Sequence, residues 1–326
     1  MARVKSKELL TESDGKKVCH IILDIKGSNI SYLPGDSVAI IPQNDKDEVE
    51  KILLYLKASG EEKINNTSLK NFLFKEANIA KLPASLCTNN KYHLWDFLKE
   101  NPKSLEIVKE LHHIRPRLYS IASTCSETQE EIHIIVVLVT YETNKIIRRG
   151  VASNFLCNVI KENDLIPIYI QRTRHFHLPE KDKDIIMVAT GTGIAPFFAF
   201  LKERLFTKAS GKNILFFGEK YKANLYFAFF LNGLEKEGFL KFFPALSRET
   251  PKKYVQDKIL EQKKEIFHLL EHGATLYLCG SAEKMAKSVH DTLLQIIKEE
   301  MHLDENGAEE YLKALVLQKR YLKEVY

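Results

Sequence analysis

Hydrophobic and polar positions alternate in short runs along the first part of the chain, as they do in strands with one buried face. Such runs extend from Val18 to Ile25 and from Ser37 to Ile41, with a Pro-Gly-Asp turn at positions 34–36 between them. The pattern returns from Arg117 to Ala122 and from Glu131 to Tyr141. These segments predict a β domain.

Between about residues 45 and 113 the hydrophobic positions recur at helical spacing instead. The segments 92–98 and 105–111 show this spacing, and so does a group of five neighbouring positions near the start: Glu48, Val49, Ile52, Leu53 and Leu56. We therefore predict a helical insertion within the β domain.

After Pro179 apolar strands alternate with amphipathic helices. The predicted helices are 196–206 and 283–298, and the predicted strands are 184–190, 213–218, 240–245 and 274–279. Because such alternation is typical of a doubly wound parallel sheet, the predicted fold class is all-β followed by α/β. We place the first domain at residues 1–178 and the second at residues 179–326.

Length and composition fit this two-domain arrangement. The chain has 326 residues, of which 44% are hydrophobic and 28% charged, and its net charge is +5. Basic residues are dispersed, so no nucleic-acid partner is expected.

No apolar run is long enough to span a membrane, and the first residues contain no apolar signal segment. The five cysteines form no close pair. We expect a cytoplasmic protein without membrane contact, disulfide framework or structural zinc.

A glycine loop joins the first apolar strand of the second domain to the following helix. Gly191 and Gly193 stand where backbone amides and a helix N-terminus bind a pyrophosphate, although a simple tight turn has the same local pattern. Pro196 occupies the position of the third glycine in the usual dehydrogenase fingerprint. The loop therefore indicates another class of nucleotide-binding protein.

Further motifs then occur in a characteristic order. They are RPRLYSIAS (115–123), RGVASNFL (149–156), GTGIAPF (191–197), SRE (247–249), KKYVQDKI (252–259), LYLCGSAEKMAKSV (276–289) and the ending RYLKEVY. With them the chain resembles the FAD/NADP module of the diflavin reductases, the sulfite reductase flavoproteins in particular. The resemblance covers nearly the whole chain and implies an antiparallel β-barrel FAD domain before a doubly wound NADP-binding domain.

The resemblance also implies an FAD site on the strand Arg117, Leu118, Tyr119 and Ser120. In this family the arginine neutralises the FAD pyrophosphate, the tyrosine stacks on the isoalloxazine ring, and the serine lies near flavin N5. Tyr326 corresponds to the terminal aromatic residue that covers the flavin face where nicotinamide enters.

Two further segments correspond to the rest of the FAD site. Gly150, Val151, Ala152 and Ser153 match a second phosphate loop, with Ser153 as the predicted N-cap of a helix over 154–160. Tyr141 matches a tyrosine on the adenosine side, and Ile135 and Val137 match positions that supply backbone contacts.

Two observations disagree about the nicotinamide cofactor. Five residues match the family's cluster for the adenosine 2′-phosphate: Ser247, Arg248, Lys252, Tyr254 and Gln256. Glu219, in contrast, follows a strand at the position where dehydrogenases keep an acid for the ribose 2′-hydroxyl of NADH. Gly191, Thr192, Gly193 and Ser288 complete the predicted dinucleotide site. We expect NADPH because five matches outweigh one glutamate.

The resemblance places three residues around the path of the hydride. Ser120 would hydrogen-bond flavin N5, Cys279 would contact the nicotinamide edge, and Glu324 would stabilise the developing cation. Glu324 stands where the family has aspartate. Ser281 and Ser288 likewise replace acids of close relatives.

The predicted function is that of an FAD-dependent oxidoreductase that takes a hydride from NADPH and passes electrons singly to a separate protein. Diflavin reductases begin with an FMN domain, for which we find no counterpart here, so the acceptor would be an FMN protein, an iron–sulfur protein or a haem subunit. A stand-alone ferredoxin- or flavodoxin-NADP reductase is an alternative, and so is a non-catalytic nucleotide-binding module. His175 and His177 alternate along the chain but lack a third ligand, so no metal is expected.

Overall fold

The computed structural model describes residues 1–13, 15–64, 66–86, 93–100, 105–143, 145–281 and 285–325. Its strands, numbered along the chain, are β1 Ala2–Ser13, β2 Lys16–Asp24, β3 Ser37–Ile40, β4 Lys63–Ile64, β5 Thr67–Ser68, β6 Arg117–Ser120, β7 Glu131–Val137, β8 Thr140–Thr143, β9 Ile146–Arg149, β10 Leu165–Ile166, β11 Ile168–Gln171, β12 Ile185–Thr190, β13 Asn213–Glu219, β14 Lys241–Leu246, β15 Thr275–Gly280 and β16 Tyr321–Val325.

Its helices are α1 Lys46–Leu56, α2 Leu69–Lys75, α3 Leu94–Glu100, α4 Val151–Asn154, α5 Ile194–Phe206, α6 Ala228–Lys236, α7 Val255–Glu261, α8 Lys263–Glu271, α9 Lys287–Met301 and α10 Glu305–Leu317. Short 3₁₀ segments lie at Leu105–Glu110, Gly191–Gly193 and Lys222–Asn224, and a π-helical turn lies at Phe155–Val159. In the described part of the chain, no helix combines the length and apolar character needed to cross a membrane.

Two antiparallel sheets form the N-terminal half of the molecule. One has the strand order β10-β1-β2-β7 and the other β11-β3-β6, and an isolated bridge between Ile121 and Ile134 connects them. Ile21 and Leu23 of β2 and Val38 of β3 are fully buried between the sheets. All four residues of β3 are buried, so its apolar side chains are covered on both faces. The two sheets make an open half-barrel.

The predicted helical insertion packs around a separate apolar cluster. Helix α1 begins after Asp45, whose side chain accepts a hydrogen bond from the Asp47 amide (2.9 Å), and it buries Val49 and Ile52. Helices α2 and α3 and the 3₁₀ segment at Leu105–Glu110 complete the cluster. The segment predicted as a helix over 105–111 is thus a tighter 3₁₀ helix, and Tyr92 lies outside the described residues.

The second half contains a parallel five-stranded sheet with the order β14-β13-β12-β15-β16. Helices α5 and α6 cover one face, and α7 to α10 cover the other. Strand β12 is apolar along most of its length because it is central and buried on both faces. The predicted combination of an antiparallel β domain and a doubly wound α/β domain is confirmed. The boundary at residues 178 and 179 stays a prediction; β11 ends at Gln171 and β12 begins at Ile185.

Candidate active site

The glycine loop after β12 lies directly against the end of β15. A Cβ atom added at Gly193 would stand 2.2 Å from the Cys279 carbonyl oxygen, and one added at Gly280 would stand 2.4 Å from Thr190 Oγ1. Only residues without a side chain allow this approach. Central strands β12 and β15 are neighbours in the sheet, so the loop and Cys279 share the edge where ligands of open α/β sheets bind.

A cavity of about 770 Å³ opens at this edge. Six of the predicted dinucleotide residues line it: Gly191, Thr192, Ser247, Tyr254, Gln256 and Ser288. Gly193 is not among the lining residues, since it faces the backbone of Cys279. Ser281 lines the cavity as well. The volume and the mixture of hydroxyl, amide and backbone groups suit a dinucleotide.

Two of the five predicted 2′-phosphate residues lie outside the cavity wall. Arg248 is exposed, and its amide donates to the Lys220 carbonyl oxygen (2.9 Å). The Lys252 ammonium group lies over the Tyr254 ring, 5.0 Å from its centroid. Lysines that the sequence did not single out line the cavity instead: Lys16, Lys220, Lys253 and Lys287. Positive charge therefore surrounds the cavity, but it comes from these four lysines and not from the two expected cations, Arg248 and Lys252.

Lys16 reaches the cavity from the other half of the molecule. It belongs to β2, and its Nζ lies 2.8 Å from Glu219 Oε1 at the end of β13. The Glu219 side chain is only 3% exposed, so this ion pair is largely shielded from water. Lys16 was missed because its partner lies 203 positions away along the chain. Glu219, the residue that favoured NADH, has its carboxylate engaged by a lysine in this structure.

The three residues predicted around the hydride path come from both halves and converge. Cys279 and Glu324 are direct cross-strand partners in β15 and β16, and the Ser120 hydroxyl interacts with the Glu324 carboxyl group. Burial, followed by the nearby charge of Asp36, raises the pKa of Glu324 to about 7, while His177 and Ser120 lower it. Burial also raises the pKa of the Cys279 thiol, so this thiol is neutral.

The predicted flavin strand β6 stands at the edge of its sheet, paired on one side with β3. Arg117 and Leu118 are exposed, whereas Tyr119 and Ser120 are half-buried. The Tyr119 ring packs against the barrel core, and burial raises the pKa of its hydroxyl group. The strand thus offers a guanidinium group and an apolar side chain to a ligand outside the barrel.

The second predicted phosphate loop differs from expectation at Ser153. Helix α4 begins at Val151, and its N-cap is Gly150, so Ser153 is not the N-cap but lies inside the helix. Its hydroxyl donates to the Gly150 carbonyl oxygen and accepts from the Val139 amide, both at 3.1 Å. The expected helix over 154–160 is α4 followed by a π-helical turn. Ser153 therefore closes the base of the β8–β9 hairpin.

The remaining predicted FAD residues lie on or near that hairpin. Tyr141 belongs to β8 and is 37% exposed. Ile135 is buried, and Val137 lines the cavity described above. The Leu138 amide donates to Lys17 on β2 (2.8 Å), so the neighbouring Val137 amide points away from β2. Tyr326, which follows β16, lies outside the described residues.

Within the described ranges, no group of three or more His, Cys, Asp or Glu side chains could hold a metal ion. His177 contacts backbone oxygens instead: its ring nitrogens lie 3.2 Å from the Pro34 carbonyl and 3.1 Å from the Thr173 carbonyl.

Comparison with known proteins assigns a family to each half. Residues 1–71 and 72–155 match the model of the FAD binding domain, and residues 187–291 match the oxidoreductase NAD-binding domain. The chain is an FAD/NADP module of the diflavin reductase family. The cavity and the glycine loop lie within the part matched by the NAD-binding domain, and β6 lies within the part matched by the FAD-binding domain.

Relatives of this module carry the name sulfite reductase (NADPH) flavoprotein alpha-component. The protein of Neisseria meningitidis is 35% identical over 361 aligned positions, which cover 100% of this chain and 60% of the relative. The proteins of Bacillus subtilis and Buchnera aphidicola are 34% and 33% identical, and the alignments cover 95% and 98% of this chain but 58% and 59% of the relatives. This chain thus spans about three fifths of the length of the curated relatives it matches.

These matches confirm the predicted FAD domain and the nucleotide-binding domain of an oxidoreductase. The activity of this chain and its use of NADPH, which the names of the relatives suggest, are proposals. The relatives are named as one component of an enzyme. No comparison tests the roles of individual residues, which are therefore proposals.

Proposed function

We propose that this chain is an NADPH-dependent FAD reductase that delivers electrons one at a time to a separate redox protein. One observation carries the proposal: Ser120 of the barrel domain interacts with Glu324 of the parallel sheet, whose cross-strand partner Cys279 lies against Gly193 of the glycine loop. When bound, NADPH supplies a hydride and FAD accepts it and releases single electrons.

The residues present fit both cofactors. For the dinucleotide, the α5 N-terminus and the glycine loop offer backbone amides, and the cavity lysines offset the charge of the phosphates. For FAD, β6 presents the exposed Arg117 guanidinium and the Leu118 side chain, and β8 presents the Tyr141 ring. Guanidinium and aromatic groups suit a pyrophosphate and an adenine, respectively.

The proposed preference for NADPH rests on the wall of the cavity. Ser247, Tyr254 and Gln256 would donate hydrogen bonds to the 2′-phosphate, with Lys253 and Arg248 nearby as counter-charges. Glu219 does not oppose this preference, because Lys16 neutralises its carboxylate. A dianionic phosphate is therefore better matched here than a ribose hydroxyl.

At the junction of the domains, the proposed roles follow from the charge of each group. The neutral Cys279 thiol would contact the nicotinamide edge without adding charge. The Glu324 carboxyl group would be ionised above a pH of about 7 and would then stabilise positive charge on the ring. Ser120, which interacts with Glu324, would hold its hydroxyl towards flavin N5.

The electron acceptor is proposed from the names of the relatives. Their designation as an alpha-component fits a further protein component, and an FMN protein, an iron–sulfur protein or a haem subunit could take single electrons. Stand-alone reduction of a ferredoxin or flavodoxin is the alternative within the same chemistry. Ser281 and Ser288, which line the cavity at positions where the family resemblance implies acids, favour a third possibility, a non-catalytic nucleotide-binding module. The cytoplasmic location expected from the sequence stays a prediction.

Turnover with defined acceptors tests this proposal. The purified chain, loaded with FAD, is mixed with NADPH and in turn with ferredoxin, flavodoxin and a haem protein, and NADPH oxidation is followed. We expect flavin-dependent NADPH oxidation with at least one of these proteins. Binding of FAD and NADPH without oxidation in the presence of any acceptor would instead support the non-catalytic module. A chain that binds no FAD would contradict the proposal.

A further inference from the structure

The Tyr141 side chain is held at its hydroxyl end by the helical insertion. Its hydroxyl oxygen lies 2.7 Å from Nε2 of His93, the residue that precedes helix α3. The rest of the Tyr141 side chain is partly exposed on the β8–β9 hairpin, whereas His93 is only 2% exposed. One end of the phenol is therefore fixed by a buried group while the ring remains available to a ligand.

His93 is neutral and acts as the acceptor in this hydrogen bond. Burial, reinforced by the charge of Arg148, lowers the pKa of His93 to about 4. Its Nδ1 has no hydrogen-bond partner among the described residues, but Glu48 Oε2 lies 4.0 Å away. A carboxylate on that side favours the tautomer with the proton on Nδ1. Nε2 then accepts the hydroxyl proton of Tyr141.

A second contact fixes the backbone on which Tyr141 stands. Arg148 is the cross-strand partner of Tyr141, and its Nη2 donates to both carboxylate oxygens of Asp96 at 2.5 and 2.6 Å. Its Nη1 donates to Glu48 Oε1 (3.2 Å), and its guanidinium group lies over the Trp95 ring, 4.7 Å from the centroid. Arg148 and Asp96 are 5% and 6% exposed, so this ion pair is desolvated.

The hairpin leads directly into the second phosphate loop. The Gly150 amide donates to the Val139 carbonyl oxygen (2.9 Å), and Ser153 bonds both of these residues. The Asn154 side chain donates to Asp45 at the start of α1 (3.3 Å). The insertion thus contacts both the tyrosine and the loop that are assigned to one end of FAD.

We propose that His93 is a positioning residue for FAD, which orients the Tyr141 ring so that it receives the adenosine end of the cofactor. This proposal rests on the proposed function and assigns a binding role to the helical insertion, in addition to the flavin strand and the phosphate loop. A phenol held in its bound orientation loses little rotamer freedom on binding, so the fixed ring raises the affinity for FAD.

A double-mutant cycle on FAD affinity tests this role. The variants are His93→Phe, which keeps a buried ring but removes the acceptor, Tyr141→Phe, which removes only the hydroxyl group, and the combination of both. The dissociation constant of FAD is measured by flavin fluorescence for each apoprotein. We expect each single variant to weaken FAD binding roughly five- to tenfold, and the double variant to bind no more weakly than the weaker single variant.

Two further variants separate positioning from general packing. His93→Gln retains a hydrogen-bonding side chain and should recover at least half of the lost affinity. His113→Phe changes an exposed histidine of the same insertion, which contacts Phe72 and not the hairpin, and should leave FAD binding unchanged. Thermal unfolding of every apoprotein, measured without FAD, shows whether the fold is retained.

The outcomes distinguish this inference from the proposed function. A wild-type chain that binds no FAD contradicts the proposed function. A wild-type chain that binds FAD, together with folded His93 and Tyr141 variants whose affinities are unchanged or whose losses add, overturns the positioning role. Equal loss in the Phe and Gln variants of His93 also overturns it, since a merely structural histidine would give that result.

Discussion

Glu324 pairs with Cys279 in the parallel sheet, and its carboxyl group is close enough to Asp36 and Ser120 of the other half to interact with both. Burial and the charge of Asp36 raise its pKa to about 7. In the folded protein the Glu324 carboxyl group therefore stays protonated at pH values at which a free glutamate is already ionised. It becomes ionised only above a pH of about 7. Within the physiological range, a small change in pH alters the charge beside the proposed nicotinamide position.

The first prediction concerns this titration. The rate at which NADPH reduces bound FAD should rise as the pH passes through about 7, because only ionised Glu324 stabilises positive charge on the ring. In the Glu324→Gln variant the rise should disappear. Stopped-flow measurements from pH 6 to 8 check both expectations, and an equal rise in the variant would contradict the proposed role.

The second prediction concerns the choice of cofactor. Arg248→Ala should weaken NADPH binding roughly tenfold and leave NADH binding nearly unchanged, because only NADPH carries the 2′-phosphate. Titration of both cofactors measures this effect. Lys264→Ala is the control, since it removes an exposed cation from α8 at a position outside the cavity wall. Equal losses for NADPH and NADH would show that Arg248 does not read the phosphate.

At the scale of secondary-structure elements, the strength of the periodic signal decided what could be predicted. The apolar strands β12, β13 and β15 were found from sequence because each is buried on both faces. Strand β1 was missed because its exposed and buried positions do not alternate cleanly, and its pairing with β2 contains register shifts. The C-terminal segment was matched only as a motif, although β16 completes the parallel sheet.

The residues of the candidate site also fall into those that the sequence predicted and those that it missed. Residues within one motif, such as Gly191 and Ser247, reach the cavity as expected. Contacts between distant segments could not be predicted, because no local pattern records them. Lys16 with Glu219 and Tyr141 with His93 are two such contacts, which join residues separated by 203 and 48 positions.

The third prediction concerns the glycine loop as an element. Gly193→Ala places a methyl group 2.2 Å from the Cys279 carbonyl oxygen, so the glycine loop must move away from the end of β15. We expect a loss of about 1–3 kcal/mol in the free energy of unfolding and a large loss of NADPH affinity. Gly233→Ala is the control: this site in α6 has open space around it, and the change should stabilise the helix by ~0.5–1 kcal/mol. Denaturant unfolding measures both; equal stabilities would refute the close approach.

At the scale of the whole molecule, several side-chain contacts connect the half-barrel to the parallel sheet. Thr124 and Ser126 donate to Glu203 on α5, and the Tyr277 hydroxyl donates to the His177 carbonyl oxygen (2.7 Å). The Lys16–Glu219 pair joins the same two halves at the cavity wall. Because the proposed flavin strand and nicotinamide edge belong to different halves, these contacts would set the separation of the two cofactors when both are bound.

The fourth prediction concerns that ion pair. Lys16→Ala leaves the nearly inaccessible Glu219 carboxylate without its lysine partner. We expect this variant to lose about 1–3 kcal/mol of unfolding free energy. The loss is smaller than for a fully buried ion pair because the Lys16 side chain is 20% exposed. The Lys16→Ala, Glu219→Gln double variant should regain much of that stability. Urea unfolding measures each variant. A double variant whose losses simply add would show that the pair does not connect the halves energetically.

The central claim is that the two halves hold FAD and NADPH in contact for hydride transfer. The most direct test is single-turnover reduction of bound FAD by NADPH, compared with NADPH that carries deuterium at the transferred position of C4. The account predicts rapid loss of flavin absorbance with NADPH and a slower loss with the deuterated cofactor. FAD that stays oxidised while NADPH is bound would contradict it.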